Sequence, residues 1–126
     1  MFSELLSKRI LVVEDDYMQS AELSLILELQ GSDVVGPFPY LQDGLRAAEN
    51  GNIDAAVLDV RLGDENVYQL ADNLDMRKIP FIFVTGFSRE KVPDRFIGVR
   101  CLQKPFDNNS MVMILAIAIA EHRSLH

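Results

Sequence analysis

The stretch Asp54-Ala55-Ala56-Val57-Leu58-Asp59 places four apolar residues without interruption between two acids. A run of this kind is typical of a strand that is covered on both faces, as in the middle of a parallel sheet. The run ends at Asp59, and the residues that follow it, Val60-Arg61-Leu62-Gly63, form a predicted turn. Chemistry in open α/β sheets gathers just beyond the carboxyl ends of the strands, so Asp59 is a candidate site residue. Aspartate is equally common in ordinary turns, and this acid alone does not separate the two interpretations.

Four further segments share this apolar character, and amphipathic stretches alternate with them. The predicted strands are residues 9–13, 33–37, 53–59, 81–84 and 97–102. The predicted helices are residues 17–30, 41–50 and 67–76, a short or interrupted helix within 87–96, and a last helix from near 107. This alternation predicts the α/β class, with a doubly wound, five-stranded parallel sheet and five helices on its two faces.

The size and charge of the chain restrict its class. Its 126 residues suffice for one domain with one core, and residues 1–8 form an N-terminal extension that either adds a short helical turn or stays loose. A net charge of -7 argues against direct binding to nucleic acid or to an anionic membrane surface, because both need clustered lysine and arginine. We therefore expect a single domain that binds neither.

Cysteine content and targeting signals indicate the compartment. The single cysteine, Cys101, excludes an intrachain disulfide, which fits a reducing cytoplasm. The N-terminus lacks a signal-peptide pattern, because Lys8 and Arg9 follow its few apolar residues instead of preceding them. The longest apolar run, residues 111–120, has about half of the roughly 20 residues that a membrane-spanning helix needs. We expect a cytoplasmic protein.

Polar side chains stand at the carboxyl ends of four predicted strands. Glu14 and Asp15 follow the first strand, Asp59 ends the third, Thr85 follows the fourth, and Lys104 follows the fifth. These ends share one edge of a doubly wound sheet, where three carboxylates would repel one another unless a cation joined them. Oxygen ligands select a hard divalent ion, Mg²⁺ or Mn²⁺. The lysine charge and the threonine hydroxyl suit a phosphoryl group carried on Asp59.

In content and order these motifs resemble the receiver domain of bacterial two-component response regulators. The matching segments are Ile10-Leu11-Val12-Val13-Glu14-Asp15-Asp16, Ala56-Val57-Leu58-Asp59-Val60, Phe83-Val84-Thr85-Gly86 and Gln103-Lys104-Pro105-Phe106. The resemblance covers residues 9–122 and implies a flavodoxin-like fold of the receiver type, similar to that of the chemotaxis regulators.

The resemblance also implies a metal site. Glu14 and Asp15 are similar to the acidic pair that holds Mg²⁺ in the family, with Asp59 and the backbone carbonyl of Arg61 as further ligands. Asp16 is the less favoured ligand, because the family's pair follows the apolar strand directly.

The remaining roles implied by the resemblance concern phosphate. Asp59 is the implied phosphoacceptor, Thr85 the switch hydroxyl, and Lys104 the residue that contacts the phosphoryl group. The donor would be a histidine kinase, a histidine phosphotransfer protein or a small phosphodonor. Such a protein is a signalling domain with self-catalysed phosphorylation and dephosphorylation, and is not a turnover enzyme.

The chain departs from the family at the switch aromatic. The family carries Tyr or Phe three residues before the lysine, and this sequence has Cys101 there. We expect the thiol to be a small core residue. Phe83, Phe87 and Phe96 are the candidates to replace the missing ring.

One loop and one helix also depart from the family pattern. The family commonly has a proline and then a glycine between the phosphoacceptor and the third helix, and this sequence has Leu62-Gly63-Asp64-Glu65-Asn66 there. Asp64 and Glu65 are either solvated loop acids or groups that affect phosphoryl lifetime or partner approach. Pro93 shortens the fourth helix, which belongs to the family's usual output face.

The last helix is apolar at ten successive positions, 111–120. Met111, Ile114, Leu115 and Ala118 form the stripe that is predicted to face the sheet. Val112, Ile117 and Ile119 would then lie partly outside the core, which favours a homodimer or partner interface on this helix.

Other functions stay open at this point. A receiver of this kind either signals to an unknown protein target or passes phosphate on, as a sink or shuttle. A metal-dependent phosphohydrolase would need a second Asp where Arg61 stands, and a nucleotide or flavin binder would need a glycine-rich loop after the first strand. A degenerate receiver that acts as a phosphorylation-independent interaction module is the remaining alternative, favoured only by Cys101.

Overall fold

A computed structural model describes residues 3–86 and 92–125. The strands are β1 Arg9–Val13, β2 Asp33–Phe38, β3 Ala55–Asp59, β4 Arg61–Leu62, β5 Glu65–Asn66, β6 Phe81–Thr85 and β7 Cys101–Gln103. The α-helices are α1 Tyr17–Leu29, α2 Leu41–Asn50, α3 Tyr68–Met76 and α4 Asn108–Leu125. Two 3₁₀ turns, Ser3–Leu5 and Asp94–Phe96, complete the described elements.

The main sheet is parallel and has the order β2-β1-β3-β6-β7. The central strand β3 is the apolar run that ends at Asp59, and all five of its residues are buried. The predicted doubly wound fold is therefore confirmed, with its switch of strand order beside β1 and β3.

Two hydrophobic layers cover the sheet, because successive side chains of each strand point to opposite faces. Leu11 and Val13 of β1 pack with the apolar faces of α2 and α3. Ile10 and Val12 pack on the other side with α1, α4 and Leu5 of the N-terminal turn. The extension at residues 1–8 thus contributes a fully buried leucine to the core.

Helix α4 begins where the sequence predicts, since Asp107 Oδ1 accepts the N–H of Ser110 at 2.7 Å. The expectation that Val112 and Ile119 lie outside the core is wrong, because both side chains are buried. Helix α4 packs against α1 and the N-terminal turn as well as β6, so it buries a wider face than one stripe. Among the large apolar side chains of α4 whose burial the structure describes, Met113 and Ile117 are the exposed ones, at 47% and 37%.

Two other expectations about the last third of the chain need correction. The described residues hold four α-helices where five are predicted; residues 87–91, including Phe87, lie outside the described part, and Pro93 leads into a 3₁₀ turn. The last strand is shorter than predicted and forms an edge of the sheet, so Cys101 is exposed instead of being a core residue.

Candidate functional site

The strand register brings the predicted site residues to one edge of the sheet. Val13 is opposite Leu58, which places Glu14 and Asp59 side by side one residue later. Asp59 is opposite Val84, and Thr85 is opposite Gln103, so Thr85 and Lys104 follow on the same edge. The sequence prediction that four strand ends converge is therefore correct for the described fold.

Three carboxylates meet at this edge. One oxygen from each of Glu14, Asp15 and Asp59 lies within 4.8 Å of the others. Glu14 and Asp59 are buried, at 2% and 4% exposure, whereas Asp15 is exposed. Asp16 takes a different role, because its side chain accepts the N–H of Gln19 and caps α1.

Lys104 bridges the two buried acids. Its Nζ lies 3.0 Å from Asp59 Oδ2 and 3.0 Å from Glu14 Oε1. The backbone N–H of Lys104 donates to the carbonyl oxygen of Thr85 at 2.8 Å, which fixes the loop after β7 against β6. A single cation is thus held between the predicted phosphoacceptor and a predicted metal ligand, with Thr85 buried beside them.

The protonation of this cluster depends on its burial. Burial, together with the hydrogen bond and charge of Asp59, raises the pKa of Glu14 to about 8, against the opposing effect of Lys104. Burial disfavours the charged form of Lys104 and lowers its pKa. The hydrogen bonds and charges of Asp59 and Glu14 have the larger opposite effect, so the pKa of Lys104 lies above its ordinary value. At neutral pH without metal, Glu14 therefore keeps a proton that a cation would displace.

This raised pKa predicts how stability depends on pH. Glu14 releases its proton near pH 4.5 in the unfolded chain and near pH 8 in the folded chain. Between these values the folded state binds more protons, so the free energy of unfolding of the metal-free protein falls as pH rises. Thermal unfolding in EDTA from pH 5 to pH 8 should show this decline, and Glu14→Gln should flatten it. An equal slope in the variant would contradict the assignment.

The residues present fit a hard divalent cation. All three donors are carboxylates, and the buried Glu14 Oε1 accepts no hydrogen bond from the described residues, although Lys104 lies near it. The N–H of Arg61 donates to Asp59 Oδ1 at 3.3 Å, so its peptide lies against the same carboxylate. The Arg61 carbonyl stays a predicted ligand.

A short hairpin over the site was not predicted. Strands β4 and β5 pair antiparallel, with Leu62 opposite Glu65, and the tip residue Gly63 donates its N–H to Asp15 Oδ2 at 2.9 Å. Asp64 and Glu65 are exposed. The Gly63-Asp64 pair is the signal that sequence reasoning passed over, because glycine followed by a polar residue is a common two-residue hairpin turn.

An aromatic cluster packs around Phe83 of β6. Phe83 is fully buried and contacts the rings of Tyr68, Phe81 and Phe96, with centroids 6.0, 5.4 and 5.4 Å away. Phe83 lies two residues before Thr85 in β6, on the same face of the sheet, and Phe96 packs against Phe83. Cys101 lies opposite Phe83 on β7, exposed at the edge.

Comparison with known proteins also indicates a receiver domain. Residues 10–116 match the family model described as response regulator receiver domain. The solution structure of SdrG from Sphingomonas melonis Fr1 is 37% identical, with a TM-score of 0.80, and the match covers 92% of this chain and 98% of that one. A CheY-like receiver domain protein from Methanospirillum hungatei JF-1 matches with a TM-score of 0.81 at 23% identity, over 95% and 99% of the two chains.

Curated relatives are longer than this chain. The transcriptional regulatory protein PdtaR of Mycobacterium tuberculosis H37Rv is 23% identical over 122 residues, which are 94% of this chain and 60% of that protein. The sensory transduction protein LytT of Bacillus cereus is 26% identical over 111 residues, 85% of this chain and 45% of that protein. The chain therefore spans about half of the length of these relatives. In the described residues, no helix has the length and apolar character to cross a membrane.

Proposed function

Because the chain belongs to the response regulator receiver domain family of two-component systems, we propose that it accepts a phosphoryl group on Asp59 in a Mg²⁺-dependent reaction and so switches partner binding or relays phosphate. The donor would be a histidine kinase or a histidine phosphotransfer protein in the cytoplasm. The observation that carries the proposal is the Lys104 ammonium held 3.0 Å from a buried Asp59 carboxylate, beside two further acids.

The chemistry assigned to Asp59 is in-line transfer. An Asp59 carboxylate oxygen forms the new bond to phosphorus as the bond from phosphorus to the donor histidine nitrogen breaks, and the imidazole leaves with the electron pair. A carboxylate nucleophile needs no general base, because its attacking oxygen has no proton to lose. Hydrolysis of the acyl phosphate by water later resets the chain.

The surrounding residues support this transfer by neutralising charge. Mg²⁺ or Mn²⁺, when bound, would offset the negative charge on the phosphoryl oxygens, held by Glu14, Asp15, Asp59 and the Arg61 carbonyl. Lys104 exchanges part of its contact with the carboxylates for a phosphoryl oxygen. The Thr85 hydroxyl donates to another, which would bias β6 and the elements after it toward a second arrangement.

Beryllofluoride binding tests the proposal without a phosphodonor. In the presence of Mg²⁺, the chain should bind beryllofluoride in a one-to-one complex, seen as new bound signals in ¹⁹F NMR, and chelation of Mg²⁺ should abolish them. The alternative is a degenerate receiver that binds its partner independently of phosphate, and its one supporting observation is the exposed Cys101 in place of an aromatic ring. Absence of any bound signal would favour that alternative.

The output surface is proposed to include α4. Met113 and Ile117 are exposed apolar residues four positions apart on this helix, so they share a face that suits a homodimer or a protein target. Sizing of the beryllofluoride complex should show a larger species than the unliganded chain, and Ile117→Glu should prevent the increase. A variant that still dimerises would place the interface elsewhere.

A further inference from the structure

The hairpin Arg61–Asn66 has an edge that faces the acid cluster. Leu62 and Glu65 close a two-residue turn, and Gly63 has φ +62, which matches a type II′ turn with glycine at its first central position. In such a hairpin the closing pair points its N–H and C=O groups inward, and the residues on either side point theirs outward. The N–H groups of Arg61 and Gly63 therefore lie on the same outer edge.

Each of these two N–H groups contacts a different carboxylate. The N–H of Arg61 donates to Asp59 Oδ1, and that of Gly63 donates to Asp15 Oδ2 at 2.9 Å. Among the described residues, Gly63 supplies the hydrogen-bond donor to the Asp15 carboxylate. Asp15 is exposed and belongs to a cluster of like charges, so without this bond its side chain would gain by turning toward solvent.

The base of the hairpin is held by buried side chains and backbone hydrogen bonds, which fix the position of the Gly63 N–H at its tip. Leu62, Val60 and Val67 are buried, and the N–H of Val67 donates to the carbonyl oxygen of Val60 at 3.0 Å. The N–H of Val60 in turn donates to the carbonyl oxygen of Val84 in β6. The Gly63 amide is thus anchored to the sheet through its own hairpin.

We propose that Gly63 is a positioning residue for the metal site: its backbone N–H holds Asp15 Oδ2 so that the carboxylate stays within reach of Glu14 and Asp59. This inference rests on the proposed function and adds to it a residue that touches neither the metal nor the phosphoryl group. The Gly63 N–H thereby fixes a ligand whose side chain is otherwise exposed.

Two substitutions at Gly63 separate the N–H from the shape of the turn. Gly63→Asn keeps the N–H and has open space for its side chain, and asparagine is among the residues that adopt positive φ with the least strain. Gly63→Pro removes the N–H and cannot adopt φ +62. Calorimetric titration with Mg²⁺ alone should give near-native affinity for the asparagine variant and about three- to tenfold weaker binding for the proline variant, the range expected for one typical hydrogen bond. Equal Mg²⁺ affinity in the proline variant would overturn the inference.

A second measurement leaves the hairpin intact, in case the proline variant loses its fold. Amide hydrogen exchange at Gly63, followed by NMR in metal-free buffer, should be slower in the unaltered chain than in Asp15→Ala. Equal exchange rates would overturn the positioning role while leaving the proposed function in place. Failure of the unaltered chain to bind Mg²⁺ would instead remove the metal site itself, and the two failures are therefore distinguishable.

Discussion

Asparagine at position 59 is expected to abolish phosphoryl uptake, lowering the rate with Mg²⁺ and phosphoramidate by at least about 100-fold, because the amide oxygen is a poor nucleophile. The fold should be retained. Removing the Asp59 charge relieves repulsion in the cluster, and Lys104 keeps Glu14 as a partner. Thermal unfolding should therefore show that Asp59→Asn is at least as stable as the unaltered chain in metal-free buffer.

The chain offers a matched control at the other end of the same strand. Asp54 precedes β3, is exposed, and accepts the N–H of Arg9 at 2.8 Å, remote from the acid cluster. Asp54→Asn makes the same chemical change there and should leave phosphoryl uptake within about twofold of the native rate, since it removes only a structural hydrogen bond. Uptake that persists in Asp59→Asn, or that fails equally in Asp54→Asn, would contradict the assignment of Asp59.

Replacement of Lys104 should produce the second large effect. Lys104→Met keeps the length of the side chain and removes the charge that bridges Asp59 and Glu14. Phosphoryl uptake should fall by about 100-fold or more, because a fixed donor aimed at developing negative charge is commonly worth that much. Lys78→Met, on an exposed lysine in the turn after α3, is the matched control and should leave the rate unchanged.

The stability of Lys104→Met shows whether Lys104 also bridges the two acids in the folded chain or acts on phosphoryl transfer alone. Loss of one partner of a buried ion pair typically costs about 3–5 kcal/mol, and we expect about 1–3 kcal/mol here because Lys104 is partly exposed and Glu14 already keeps its proton at neutral pH. Lys104 lowers the pKa of Glu14, so its removal should raise that pKa further and extend the loss of stability to pH values above 8. A variant with native stability and native pH dependence would show that the bridge does not exist in solution.

The sequence predicted where these residues converge because the carboxyl ends of strands form the meeting point. The strands that carry Glu14, Asp59 and Thr85 are continuous apolar runs whose last residue is unambiguous. In a parallel sheet the ends of such runs converge whatever the details of the connections. The roles of these residues and of Lys104 remain proposals that the substitutions above test.

The errors have a common physical origin in long-range packing. Local pattern predicts that Cys101 lies on a strand, but only the strand order makes that strand an edge and its thiol exposed. Helix α4 is apolar nearly all round, and the contacts with α1 and the N-terminal turn decide that Val112 and Ile119 are buried while Met113 is not. Such differences depend on neighbours that are distant in the chain.

The hairpin over the site shows a different kind of limit. Its turn has a local signal in Gly63-Asp64, but the contact that matters joins residues 48 positions apart, from Gly63 to Asp15. Neither residue's neighbourhood in sequence indicates the other. Backbone donors of this kind are found from geometry, because the N–H group is the same in every residue except proline.

The most direct test of the central claim is the intact mass of the unaltered chain after incubation with Mg²⁺ and phosphoramidate. We predict the addition of a single phosphoryl group, its absence when Mg²⁺ is chelated, and its absence in Asp59→Asn. A chain that gains no phosphoryl group and also fails to bind beryllofluoride, or one that is phosphorylated equally well without Asp59, would contradict the account.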